Sequence, residues 1–134
     1  MRVDTYRDRR RVWTGTPWEA ANGYSRAVRV GDRILVTGTV GVEPGGSFAP
    51  DVAGQTRRAL RIILDAVESL GGQAEDVVRN RIYLTDIADL AAAGAVHGEV
   101  FGDIRPCLTG LAVAALVDPA CKVEIESEAV VSPA

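Results

Sequence analysis

One long amphipathic segment, from Asp51 to Leu70, constrains the fold of this chain more than any other feature of the sequence. Its apolar residues recur at steps of three and four, which places them on a single stripe of an α-helix. The stripe consists of Ala59, Leu60, Ile63, Leu64, Val67 and Leu70. Asp51 is suited to cap the first turn, and Gly71-Gly72 is suited to end the helix. Such a helix needs a second surface to cover its stripe.

The segments around this helix predict strands, because they alternate apolar and polar residues or lie between turn residues. The predicted strands are Val12 to Thr16, Tyr24 to Val30, Arg33 to Thr39, Val77 to Thr85, Leu108 to Val117 and Lys122 to Val131. Gly31-Asp32 predicts a hairpin turn between two of them. Pro17, Asn22-Gly23 and Asp118-Pro119 are read as turns, and Val40 to Pro50 as a loop.

A second helix is predicted from about Leu90 to Phe101, with Asp86 or Asp89 as its cap. Two helices among six strands, in a chain of 134 residues, predict one α+β domain spanning 1–134. The expected architecture is a mixed β-sheet with both helices packed on one face. The other sheet face then needs a cover, and subunit association is the expected one.

The bulk chemistry narrows the class of protein. Hydrophobic residues make up 47% of the chain and the net charge is -3, which fits a globular domain and disfavours a general nucleic-acid binder. The arginine-rich run Arg7 to Arg11 is interpreted as a solvated terminus, with an anion or nucleic-acid contact as the alternative. Two cysteines and one histidine are too few for a zinc site of Cys and His alone, which needs about four ligands, so no metal is expected. No apolar run resembles a signal peptide or a membrane span, so the expected compartment is the cytoplasm.

An ordered set of short motifs runs through most of the chain. The motifs are Gly23-Tyr24-Ser25-Arg26-Ala27, Val36-Thr37-Gly38-Thr39, Gln55, Glu75-Asp76-Val77-Val78, Arg79 to Asp89, Val100-Phe101-Gly102, Arg105-Pro106, Val123-Glu124-Ile125-Glu126 and Glu128-Ala129-Val130. Together they resemble the RidA/YjgF family, also known as endoribonuclease L-PSP, over about Tyr24 to Val131.

The resemblance implies a chorismate-mutase-like α+β fold and a homotrimer with three clefts, each formed by two neighbouring subunits. It also implies hydrolysis of 2-imino acids, or their enamine tautomers, to 2-keto acids and ammonia without a cofactor. In the family, an arginine binds the substrate carboxylate and a glutamate on the last strand handles water. No membrane partner is implied.

Glu124 matches the family's glutamate. A carboxyl group in a partly dry cleft can have a raised pKa and exchange protons near neutral pH. The alternative is that Glu124, Glu126 and Glu128 simply form the solvent-exposed face of a strand. Three carboxylates on one face repel one another, so a basic partner is expected, with Arg79, Arg81 and Arg26 as candidates.

Three further positions match residues of the family's cleft. Tyr24 matches its tyrosine, with plain packing as the alternative. Gly38 matches a glycine whose backbone approaches the ligand, with a β-bulge as the alternative. Cys107 is a candidate cleft residue, although a buried, inert cysteine is the favoured interpretation.

One departure from the family pattern bears on the substrate. The carboxylate-binding arginine aligns with Leu108, and leucine cannot make charge-assisted hydrogen bonds. Arg105, three residues earlier, and Arg26 are candidate replacements, with Glu19 as a possible partner of Arg26. His97, on the second helix, is a candidate proton-transfer residue, with a structural role as the alternative.

Three functions follow from this reading. The first is an imine or enamine deaminase with an altered substrate. The second is a non-catalytic, metabolite-binding or regulatory trimer, which would bind a ligand saturably without turnover. The third, nuclease activity, finds little support, because the sequence predicts neither a cationic track nor an aromatic stacking platform.

Overall fold

The computed structural model describes residues 1–133 and consists of one sheet and three helices. The strands are β1 (Arg2–Tyr6), β2 (Arg9–Trp13), β3 (Ala27–Val30), β4 (Arg33–Val40), β5 (Val77–Leu84), β6 (Cys107–Ala112) and β7 (Val123–Val130). The helices are α1 (Pro17–Asn22), α2 (Val52–Ser69) and α3 (Leu90–Phe101), with 3-10 turns at Ala74–Asp76 and Ile87–Asp89. Within residues 1–133, none of the helices is long and apolar enough to cross a membrane.

The seven strands form one mixed sheet in the order β1-β2-β3-β4-β7-β5-β6. All neighbours are antiparallel except β5 and β6, which are joined through α3 and run parallel. Helix α2 packs on β4 and β7 and also contacts α3, so both long helices cover the same face. The prediction of a mixed sheet with two helices on one face is confirmed. The opposite face, here called the open face, is covered by neither of the two long helices.

Helix α2 forms as its sequence predicts. The Asp51 side chain accepts a hydrogen bond from the Gly54 N–H at 2.8 Å, which satisfies one of the free donors of the first turn. The predicted stripe is buried, with Leu60, Ile63 and Val67 fully inaccessible to solvent. Gly71 follows the helix with φ of +86°, a conformation that favours glycine.

Strand β7 divides its residues between the two faces of the sheet. Val123, Ile125, Ser127 and Ala129 are buried beneath the helices, and the three glutamates between them point to the open face. The same alternation holds in β5 for Asn80, Ile82 and Leu84, which are buried. A bulge between Val77 and Arg79 takes Val78 out of this alternation and leaves it 43% exposed.

The N-terminus is more ordered than the sequence predicts. Residues expected to form a solvated terminus build the β1–β2 hairpin, which extends the sheet beyond β3. Arg11 forms two hydrogen bonds of 2.9 Å with Asp4 and stacks on the rings of Tyr6 and Trp13. These contacts join β1 to β2 within one chain.

Three predicted boundaries are wrong. The strand expected at Val12 to Thr16 is instead β2, which ends at Trp13, and the turn expected after it contains helix α1. Strand β3 begins at Ala27, so Tyr24 and Arg26 lie just before it rather than within it. The strand predicted to reach Val117 ends at Ala112, because β6 pairs with β5 only as far as Leu84.

Candidate functional site

Glu124 lies near the start of β7, beside Tyr83 of β5 and Val40 of β4 in the strand register. Its side chain is on the open face and partly buried. Burial raises the pKa of the Glu124 carboxyl, the nearby Arg26 charge opposes that rise, and Glu126 adds to it. The side chain is therefore a carboxyl group that holds its proton more tightly than an exposed glutamate does. This is the property required of a group that both donates and accepts a proton.

Gly38 lies directly against this carboxyl group. The pairing of β4 with β7 shifts register between Val36 and Thr39, so Gly38 belongs to a β-bulge. A Cβ atom on Gly38 would lie 3.0 Å from Glu124 Oε2, closer than most such contacts. The absence of a side chain thus lets the carboxylate approach the backbone. The bulge expected as an alternative role for Gly38 is present, and it adjoins the candidate catalytic group.

Arg26 is nearly buried and its guanidinium group is held by three neighbours. Nε and Nη2 donate to Glu19 Oε2 at 3.3 and 3.2 Å, and Nη1 donates to the Gly38 carbonyl at 3.0 Å and to Thr39 Oγ1 at 3.2 Å. The expected pairing with Glu19 is confirmed. Because Glu19 lies on α1 and Gly38 on β4, Arg26 ties the short helix to the bulge.

Tyr24 completes this group of side chains. The Arg26 guanidinium carbon lies 5.7 Å from the centre of the Tyr24 ring, within the range of a cation–π contact. Tyr24 also borders a shallow depression of about 420 Å³ on the open face, together with Thr37, Arg81 and Glu126. Four predicted site residues therefore come together in one chain: Tyr24, Arg26, Gly38 and Glu124.

The other two glutamates of β7 have partners on the open face. Arg81 Nη1 lies 3.5 Å from Glu126 and 3.3 Å from Glu128, as expected for a face with three carboxylates. The Tyr83 hydroxyl donates a hydrogen bond to Glu126, and this bond raises the pKa of Tyr83. Tyr83 and Thr39 were not among the predicted site residues. Their positions could have indicated them, because Tyr83 lies two residues after Arg81 on the same face of β5 and Thr39 follows Gly38.

The remaining candidates lie at the far edge of the sheet, in β6 and the turn before it. They are Arg105, Cys107 and Leu108. Strand β6 is four strands away from β3 in the sheet order, which corresponds to about 19 Å at the usual spacing of about 4.8 Å. Within one chain, Arg105 therefore lies far from Tyr24 and from Arg26. A single small molecule cannot contact both Tyr24 and the β6 residues in the same subunit, whereas Glu124, on β7, lies only two strands from β6.

The cysteines are placed differently from the expectation. Cys107 is exposed, so its prediction as a buried, inert cysteine is wrong, and Cys121 is the buried one. Burial, with the nearby charges of Asp118 and Glu124, raises the pKa of the Cys121 thiol to about 11. Leu108 is 42% exposed and lies opposite Asn80 in the register. It is thus an apolar side chain that this chain leaves uncovered.

His97 lies on the other face of the sheet from Glu124. It is buried between α3 and β5, where its Nε2 atom lies 3.0 Å from Asn80 Nδ2, and Asn80 accepts a hydrogen bond from Ser127. Its ring also packs on Phe101 at 4.8 Å. The structure does not bring His97 to the other candidate residues, because the helix face that carries it forms the core. Its surroundings match the structural alternative.

The burial of His97 predicts a dependence of stability on pH. Burial lowers the pKa of His97, so the folded state favours the neutral imidazole. Its contribution is fully present above the unfolded value of 6.5 and is lost as the pH falls through the lower folded value. We expect the free energy of unfolding to fall less steeply below about pH 6.5 in His97→Gln than in the wild type. Urea unfolding at a fixed protein concentration measures both slopes, and equal slopes would contradict the prediction.

Most of this chain matches a single protein family. Residues 14–131 match the family described as endoribonuclease L-PSP. Only the β1–β2 hairpin and the last residues fall outside the match. The matched part contains all eight candidate site residues.

Similar sequences and structures point to the same group. An uncharacterized protein of Streptomyces coelicolor is 36% identical over 121 residues, which is 90% of each chain. The 3-aminoacrylate deaminase RutC of Acinetobacter baylyi is 34% identical and covers 86% of this chain and 91% of its own. The crystal structure of Rv2704 from Mycobacterium tuberculosis, a member of the YjgF/YER057c/UK114 family, is 46% identical with a TM-score of 0.86. It covers 92% of this chain and 99% of its own.

Proposed function

This chain belongs to the RidA/YjgF (endoribonuclease L-PSP) family, and on that premise we propose that it hydrolyses imines or enamines with Glu124 as the catalytic residue. The observation that carries the proposal is the Glu124 carboxyl, which has a raised pKa and lies against Gly38. Its neighbour on the same strand face, Glu126, lines the open depression together with Tyr24. A relative that is 34% identical is a 3-aminoacrylate deaminase, which acts on an enamine.

The proposed reaction needs only a proton donor, a proton acceptor and water. The protonated Glu124 gives its proton to the imine nitrogen, or to the carbon of the enamine tautomer, which makes the C=N carbon electrophilic. Water then adds to that carbon, and the resulting carboxylate of Glu124 takes a proton from the water. Glu124 then gives this proton to the amino nitrogen of the carbinolamine. The C–N bond breaks to release ammonia, and the hydroxyl proton passes to the Glu124 carboxylate, which leaves a carbonyl group and restores the protonated Glu124. Each proton transfer uses the Glu124 carboxyl group, whose raised pKa favours the protonated form that starts the reaction.

We place the complete site between subunits of a homotrimer. Tyr24 lies about four strands from Leu108 in one chain, whereas Gly38 lies three strands and Glu124 two strands away. Tyr24 and Leu108 can therefore line one cleft only when a second copy contributes β6. The open face also carries uncovered apolar side chains, among them Leu35 at 46% and Val130 at 39% exposure. Trimerisation would cover this face and bring Tyr24 and Leu108 together.

Leu108 sets the expected substrate class. An arginine at this position would bind a carboxylate through two charge-assisted hydrogen bonds, whereas leucine offers only an apolar surface. We therefore expect the preferred imine or enamine to carry an apolar or uncharged group where 2-imino acids carry their carboxylate. The alternative is a metabolite-binding trimer without turnover, and the loss of the arginine is the observation that favours it.

The test is hydrolysis of freshly generated 2-iminopropanoate by the wild type, Leu108→Arg and Val117→Arg. Val117 is the control for an added arginine, because it is 78% exposed and lies outside the strands that form the open face. We expect Leu108→Arg to raise kcat/KM by about 10- to 1000-fold for this carboxylate, which corresponds to a desolvated ion pair, and Val117→Arg to change it little.

The oligomeric state is measured on the same samples by light scattering, with three chains per particle as the expected mass. No hydrolysis by either the wild type or Leu108→Arg, in particles that are trimeric, would overturn the deaminase proposal. Saturable binding of a small molecule by such particles would then favour the metabolite-binding alternative.

A further inference from the structure

The most deeply buried ion pair among residues 1–133 joins Arg26 to Glu19, with side chains 8% and 2% exposed. The Glu19 carboxylate accepts hydrogen bonds from the backbone N–H groups of Thr14 and Gly15, both at 3.1 Å, and from the Thr14 hydroxyl. Those contacts fix Glu19 independently of Arg26. A buried ion pair contributes little net stability, because the cost of desolvating two charges offsets their attraction. The pair does hold its two side chains, and the groups bonded to them, in one geometry.

We propose that Glu19 and Arg26 are positioning residues that hold the Gly38 bulge of β4 against the Glu124 carboxyl, and that Arg26 does not bind the substrate. The proposal rests on the role assigned to Glu124 above. Arg26 is therefore not the replacement for the missing carboxylate-binding arginine that the sequence alone suggests.

The hydrogen bonds of Arg26 carry this assignment. A guanidinium group has five N–H donors, and the contacts with Glu19, Gly38 and Thr39 engage four of them. A bidentate grip on a carboxylate needs two parallel N–H groups on one edge of the fork, and Arg26 has only one donor left. Binding a substrate carboxylate would therefore require it to release Glu19 or the bulge.

The position of the bulge explains what the pair achieves. Arg26 Nη1 fixes the Gly38 carbonyl and Thr39 Oγ1, and the Gly38 Cα lies where a Cβ would come within 3.0 Å of Glu124 Oε2. A shift of the bulge would therefore move the backbone that lies beside the catalytic carboxyl group. A displacement of about 1 Å at a reacting group can lower a rate by about 100-fold.

The charge of Arg26 has a second effect on the same carboxyl group. Burial and the Glu126 charge favour the protonated form of Glu124, and Arg26 favours the carboxylate. The other titratable neighbours are Tyr83 and Cys121, on which Glu124 itself exerts a charge effect. Arg26 is the cation that offsets the desolvation of Glu124, so its removal is expected to raise the pKa of that group further.

The experiment combines imine kinetics with a carboxyl ¹³C NMR titration of Glu124 in the full-length protein. The variants are Arg26→Lys, the double variant Glu19→Gln/Arg26→Gln, and Arg57→Gln as a control for loss of an exposed arginine charge. The double variant removes both buried charges together, so it is suited to fold where a single neutralisation is not.

We expect the double variant to raise the Glu124 titration midpoint and to lower kcat about tenfold or more, with KM within about twofold of the wild type. Arg26→Lys keeps the charge but lacks the planar fork, so it is expected to lower kcat while leaving the midpoint near the wild-type value. Arg57→Gln is expected to change neither quantity.

A KM raised by about tenfold or more, with kcat and the Glu124 midpoint unchanged, would overturn the proposal and return Arg26 to substrate binding. The NMR titration separates this result from a failure of the proposed function. If the wild type hydrolyses no imine, an upward shift of the Glu124 midpoint in the double variant still supports the positioning pair. If the wild type is active and the midpoint does not move, the pair is rejected while the deaminase activity stands.

Discussion

Glu124→Gln is expected to lower kcat for imine hydrolysis by about 10²- to 10⁴-fold, the usual contribution of a general acid–base group. Glutamine has nearly the same shape, so it preserves the contact with Gly38 but can neither give nor take the proton of the attacking water. KM should change much less than kcat, because the lost interaction belongs to the transition state.

The same variant is expected to be more stable than the wild type at neutral pH. Burial raises the pKa of Glu124, so the folded state penalises its carboxylate, and glutamine removes that penalty. The pKa of Glu124 is raised in the folded state, so the added stability of Glu124→Gln is present above that pKa. It disappears as acid protonates the wild-type side chain. Urea unfolding at pH 7 and at pH 4 measures the difference.

Glu128→Gln is the matched control for both measurements, since it lies on the same strand and the same face and pairs with Arg81 instead. We expect it to lower kcat by less than about tenfold. A Glu124→Gln variant that retains the wild-type kcat would remove Glu124 from the mechanism. A stability that falls at pH 7 would show that the buried carboxylate is not penalised.

Arg26→Gln is expected to destabilise the protein by about 3–5 kcal/mol, because it leaves the Glu19 carboxylate buried without its cation. Burial alone would raise the pKa of Glu19. The hydrogen bonds from Thr14 and Gly15 and the charge of Arg26 lower it by more, so the net pKa of Glu19 is below the usual value. Its contribution to stability is therefore present above its unfolded value of 4.5 and is lost as the pH falls through the folded value.

A double-mutant cycle isolates this interaction. Adding Glu19→Gln to Arg26→Gln removes the orphaned charge and is expected to restore part of the lost stability. Arg57→Gln breaks an ion pair of similar length with Glu99, but both partners are more than half exposed, so we expect a change of about 0–1 kcal/mol. If Arg26→Gln is no more destabilising than Arg57→Gln in urea unfolding at equal protein concentration, the buried pair does not act as described.

Features that depend on neighbouring residues were predictable from the sequence. The stripe of α2 with Asp51 as its cap, and the alternation of Glu124 with Val123 and Ile125, each follow from periodicity within one segment. Glu124, Gly38 and Tyr24 could be identified because the motifs that contain them are short and contiguous. The structure then placed these three residues beside one another.

Features that depend on distant pairings were not predictable in the same way. The β1–β2 hairpin was not predicted, because a run of arginines is typical of a solvated terminus. In the structure Arg11 pairs with Asp4 and Arg2 stacks on the Trp13 ring, and both contacts join the two strands. His97 was a candidate for proton transfer, and only the packing of α3 on β5 shows that it faces Asn80 in the core. Residue type alone could not tell a buried hydrogen-bonded histidine from an exposed one.

The sequence by itself determined the two long helices, most of the strands and the faces of β7, because a local period of 3.6 or 2 residues decides which side chains meet the core. Its short contiguous motifs also identified the family. Only the tertiary structure decided that residues 17–22 form a helix, that β7 lies between β4 and β5, and that Arg26 donates to Glu19 and to the Gly38 bulge. The physical reason is that strand order and side-chain partners are set by contacts between segments far apart in the chain, and no short window of sequence contains both sides of such a contact.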